Sequence, residues 1–76
     1  MPRYFFNIYD GKPELDLEGT DCSDMYVAQA EAVRMSGQTM RDLGAKFWDG
    51  ADWRLEVVDT EGKKLFIIHF SAEEVS

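Results

Sequence analysis

The chain has 76 residues, 45% hydrophobic and 13% aromatic, which suits one small domain with a core and is too apolar for intrinsic disorder. Fifteen acids against eight bases leave a net charge of −7, and the bases form no patch that could neutralise phosphates, so nucleic acid is excluded as an expected ligand. A lone cysteine, Cys22, allows no internal disulfide, and no long apolar run marks a signal peptide or membrane span. A single cytoplasmic domain over residues 1–76, with no membrane contact, is therefore expected.

The first run, RYFFNIY, is aromatic and β-branched over the length of a strand, and the turn dipeptide Asp10-Gly11 cuts it off after Tyr9. Beyond Lys12-Pro13, ELDLEG alternates strictly. That pattern predicts a half-buried second arm with Leu15 and Leu17 inward and Glu14, Asp16 and Glu18 in water. On this reading Asp16→Asn is silent.

Ser23 and Asp24 are cap-type residues and Gly44 suits a left-handed C-cap, so a helix of about five turns fits between them. Its predicted core face carries Met25, Ala28, Ala32, Met35, Thr39 and Leu43 with Met40 at the flank, opposite Glu31, Arg34, Gln38 and Arg41. Asp49-Gly50 is expected to break the helical pattern. Two further strands follow, WRLEVVD and KLFIIHF, joined by the turn Asp59 to Gly62. The order is β-β-α-β-β: an α+β fold with an antiparallel sheet of about four strands and one helix packed on one face.

The stretches MPRYFFNIYDG, DLEGTD before a helix containing AQAEAVR, LEVVDTEGKKLF and HFSAEEV resemble a family of short uncharacterised bacterial proteins of rhizobial, alphaproteobacterial type. The resemblance spans nearly the whole chain. It implies a small domain of unknown function and brings no catalytic residues with it.

The acidic run from Glu14 to Asp21 raises the question of a metal site. An EF-hand loop begun at Glu14 places Asp16, Glu18 and Gly19 at suitable spacing, but Met25 falls where the bidentate glutamate belongs. No metal or other cofactor is expected. Cys22 and His69 could be imagined as nucleophile and base, yet no third orienting residue or glycine-rich oxyanion loop accompanies them, so an enzyme is not expected.

The strands carry more apolar residues than one helix can cover. With Tyr4, Phe6, Ile8, Phe66, Ile68 and Phe70 under the helix, Phe5, Tyr9, Val58, Leu65 and Ile67 fall on the other face, the expected partner interface. The favoured function is a non-catalytic interaction module, homodimeric through that helix-free face or bound to another protein. The runner-up is a ligand- or cation-binding accessory domain with Trp48 and Trp53 lining a shallow loop site. A small enzyme using Cys22 or His69 stands third.

Overall fold

A computed structural model describes residues 2–50 and 52–75. Strand β1 (Arg3–Tyr9) is followed by two short strands, β2 (Pro13–Glu14) and β3 (Thr20–Asp21). Helix α1 (Met25–Leu43), a 3-10 turn (Gly44–Lys46) and the short helix α2 (Phe47–Gly50) lead into β4 (Asp52–Val58) and β5 (Lys64–Ser71). The fold is the α+β arrangement expected, an antiparallel sheet in the order β2-β1-β4-β5. β3 also pairs with β1, so the two short strands share one edge of it.

Register divides the side chains between two faces. Phe6 lies opposite Val57 and Ile8 opposite Leu55, while Leu55 and Val57 face Ile68 and Phe66 across β5. Tyr4, Phe6, Trp53, Leu55 and Val57 are buried there together with Ala28, Ala32 and Cys22, and the half-buried Phe66, Ile68 and Phe70 pack against them. The alanines let α1 approach the sheet closely, since no side-chain bulk separates the backbone from the aromatic layer.

Local chemistry sets the helix ends. The Asp24 carboxylate accepts the Val27 N–H at 3.0 Å, an N-cap bond, and Gly44 closes the helix with φ of 53° while its N–H donates to the Met40 carbonyl. The core face differs from expectation at two points. Met25 is 37% exposed, and Ser36 takes an interior position. The helical path ends at Asp49-Gly50, as expected, but it reaches that point past the Gly44 cap, through the 3-10 turn and α2.

The second arm of the first hairpin corrects the strongest alternation in the sequence. Only Pro13 and Glu14 pair as strand, and Leu15 and Leu17 are 57% and 87% exposed. Asp16 turns inward instead. Its carboxylate accepts N–H groups from Phe6 at 3.2 Å, Glu18 at 3.1 Å and Gly19 at 3.0 Å, and its own N–H donates to Asn7 Oδ1 at 2.9 Å. Satisfying four polar groups at the edge of β1 outweighs the burial of two leucines on a strand this short. The chain then bends at Gly19, with φ of 76°, and returns along β1, where Arg3 pairs with Asp21 at 3.0 Å.

The molecule is long for its size, measuring 48 × 21 × 18 Å with a radius of gyration of 13.3 Å.

Candidate interaction surface

The face of the sheet away from α1 is built by the outward positions of three strands. Phe5, Asn7 and Tyr9 of β1 lie opposite Val58, Glu56 and Arg54 of β4, which in turn lie opposite Lys64, Ile67 and His69 of β5. Four of the five expected interface residues, Phe5, Tyr9, Val58 and Ile67, are on this face. Leu65 is not: a register shift between Val57 and Val58 leaves it without a residue opposite, and it packs against the core cluster. A bulge of this kind inserts one residue and so breaks the alternation on which the expectation rested.

A buried acid divides this face. Glu56, with a side chain only 5% exposed, accepts from Arg54 Nε at 2.7 Å and lies 3.4 Å from Lys64 Nζ. The hydrogen bond from Arg54, aided by Lys64, holds the Glu56 carboxyl below its ordinary value against the opposing effect of burial. The Arg54 guanidinium also stacks over the Tyr9 ring, 4.4 Å from its centroid. This strip along β4 separates the half-buried Phe5 and Tyr9 from β5, where Ile67 is 50% exposed. Near the end of the strip His69 Nε2 lies 2.7 Å from Asp52 Oδ1.

The outer edge of β5 is the second component of the surface. Among the described residues, β5 pairs with β4 alone, so along this eight-residue strand the alternate N–H and C=O groups that point away from β4 have no strand partner. Phe66, Ile68 and Phe70 are half-buried at this border of the core, whereas Leu55 and Val57 one strand inward are fully covered.

A family model described as a domain of unknown function, DUF6894, matches residues 3–71. The chain belongs to this family. No curated protein and no solved structure matches it. The matched span of this DUF6894 domain takes in every strand and both helices, so the whole sheet and its β5 edge lie within the family's unit.

The other candidate residues of this DUF6894 domain are dispersed. Trp53 is 1% exposed, its ring edge-on to Phe70 at 5.5 Å, because it alternates in phase with Leu55 and Val57 along β4. Trp48 is 51% exposed on α2. The expectation that both line one shallow site is therefore corrected. A cleft of about 460 Å³ does open nearby, but its walls are Tyr9, Asp10, Lys12, Asp52 and Arg54, with charges of both signs. Cys22 and His69 are likewise apart. Cys22 is in the core beside Pro2, whose carbonyl accepts its N–H at 3.0 Å, and His69 is level with Tyr9 on the helix-free face. The length of β1 between these two levels is about 20 Å at the usual strand rise.

Among the described residues no group of three or more acids, histidines and cysteines is arranged to hold a metal ion, and no helix is long and apolar enough to cross a membrane. Sequence reasoning missed Glu56 altogether. Its only signal was a glutamate midway along a strand with Arg54 two positions away on the same face.

Proposed function

We propose that this domain is a non-catalytic interaction module whose partner is a second copy of itself, bound at the β5 side of the sheet. The observation that carries this reading is Ile67, a large apolar side chain 50% exposed on the outermost strand of the sheet. The ion-paired strip of Arg54, Glu56 and Lys64 narrows the contact first expected over the whole helix-free face. Phe5, Tyr9 and Val58 lie across or at the end of that strip, so on this face Ile67 is the main apolar residue of the contact and they form its rim. A small domain buries a modest fraction of its surface, and covering an exposed strand stabilises it further.

A non-catalytic role is supported by the separation of Cys22 from His69 and by the state of the thiol. Burial, with Glu31, Asp21 and Asp24 nearby, pushes the Cys22 thiol above its ordinary value, away from a reactive thiolate. We place the module in the cytoplasm, in keeping with a free, buried cysteine, and among the short rhizobial-type bacterial proteins that open MPRYFF.

Sedimentation equilibrium at micromolar concentration tests the proposal. Twice the chain mass for the wild type, and a folded single chain for Ile67→Glu, are the expected results. A wild type that stays at one chain mass up to about a hundred micromolar, well above the range of specific dimers, contradicts self-association.

A further inference from the structure

We infer that two copies join edge to edge, β5 antiparallel to β5, into one continuous sheet, with Ile68 facing its own counterpart across the twofold axis. This inference rests on the self-association proposed above and specifies its geometry. The segment KKLFIIHFSAEE, residues 63 to 74, carries two lysines at its start and two glutamates at its end, with no charged residue between them other than any charge on His69. An antiparallel strand laid beside an identical one sets the basic end of each against the acidic end of the other. The segment is therefore complementary in charge to its own reversed copy and mismatched to a parallel one.

The axis must be perpendicular to the sheet, because only that operation places two identical strands side by side, antiparallel, in one sheet. Residues directly opposite then share a face. Centring on Ile68 sets Phe66 against the partner's Phe70 on the helix side, Ile67 against the partner's His69 on the other, and Lys63 near the partner's Glu73. The half-buried Phe66, Ile68 and Phe70, which border the core without a strand beyond them, thereby gain cover. Ile67 lies at the same seam. Lys63, Glu73 and Glu74 form no ion pair among the described residues, so these charges are free for the contact. β-Strand addition of this kind supplies main-chain hydrogen bonds that the isolated chain leaves to water.

The test is a charge swap read by sedimentation equilibrium. Lys63→Glu and Glu73→Lys should each weaken the dimer about tenfold, since every reversal acts twice in a twofold interface, and the double variant should recover most of the wild-type affinity. Mild oxidation of Ile68→Cys should also give a covalent dimer linked at that position, as opposed residues at the axis bring the Cβ atoms within disulfide reach. Cys22 is buried and should stay unlinked. Recovery in the double variant supports the edge pairing. A dimeric wild type whose affinity ignores both reversals, or is not recovered by the double variant, overturns the edge pairing and leaves self-association standing. A wild type of single chain mass removes both. The charge variants decide the matter if Ile68→Cys fails to fold.

Discussion

Asp16 acts as a strand partner for Phe6: its side-chain carboxylate accepts the Phe6 N–H at 3.2 Å, a place a β-ladder carbonyl would otherwise fill. The first hairpin is thereby interrupted between β2 and β3 without leaving the middle of β1 unsatisfied. Asp16→Ala should destabilise the fold by about 1–3 kcal/mol, the usual cost of leaving buried donors unpaired, and Asp16→Asn by less, because an amide oxygen replaces part of the carboxylate's capacity. Chemical denaturation of the three proteins measures this. Unchanged midpoints would mean that the carboxylate is dispensable.

The same group predicts a pH dependence. Burial raises the Asp16 carboxyl, but the N–H groups of Gly19, Phe6 and Glu18, with Arg3 close by, together bring it below its ordinary value. A carboxylate depressed in the folded state contributes stability that is fully present above its unfolded value, about 3.9, and is lost as pH falls through the lower folded value. Stability should therefore decline on acidification below about pH 4, and less steeply in Asp16→Ala. Parallel acid limbs for the two proteins would assign the decline to other carboxylates.

Two glycines should respond in opposite directions to alanine. Gly19 has φ of 76°, and a Cβ there would lie 2.8 Å from Arg3 Cγ and 3.0 Å from Phe5 Cε1. Gly19→Ala should cost at least the roughly 1–2 kcal/mol of a left-handed non-glycine residue, with crowding in addition. Gly37, inside α1, has nothing within 4 Å of such a Cβ. Gly37→Ala should stabilise by up to about 1 kcal/mol through helix propensity. Thermal melts that move the same way in both variants would contradict these assignments.

On the helix's inner face, Ala32 is fully buried, while Arg34 on the outer side is largely exposed and pairs with Glu31 one turn away. Ala32→Leu should overpack the core at about 1–3 kcal/mol, and Arg34→Leu should change little. Ser36 adds a sharper test, since its Oγ is buried without a hydrogen-bond partner among the described residues. Ser36→Ala should hold or raise the melting temperature, because it removes an unpaired polar atom and improves helix propensity. A clear loss of stability there would reveal a hydrogen bond at that oxygen.

Cys22 should be sluggish towards a thiol reagent at pH 8 in the native chain and fast in urea, because unfolding removes both its burial and the nearby carboxylates of Glu31, Asp21 and Asp24. Equal rates in the two conditions would indicate an open thiolate and revive a chemical role for this residue.

The elements legible in the sequence are those governed by local signals. β1 ends at the turn dipeptide that marks it, α1 lies between its two caps, and Trp53, Leu55 and Val57 share the phase that buries them. The misread elements answer to distant partners. Alternation placed Leu15 and Leu17 inside, but hydrogen bonds between Asp16 and a strand nine or ten residues earlier reversed that face. Leu65 changed sides through a bulge that depends on the register of two strands. Trp53 was available to phase reasoning from the start, since its alternation with Leu55 argued against a ligand loop. The burial of Glu56 emerges only when β1, β4 and β5 are laid side by side.

The 48 Å long axis affects how the molecule moves through solvent. A compact chain of 76 residues has a radius of gyration of about 11 Å by the usual size scaling, and this one has 13.3 Å. Drag follows extent rather than mass, so a single chain should diffuse slowly for its weight and leave a gel-filtration column early. An elution volume between those of one and two spherical chains is thus the expected signature of the monomer itself.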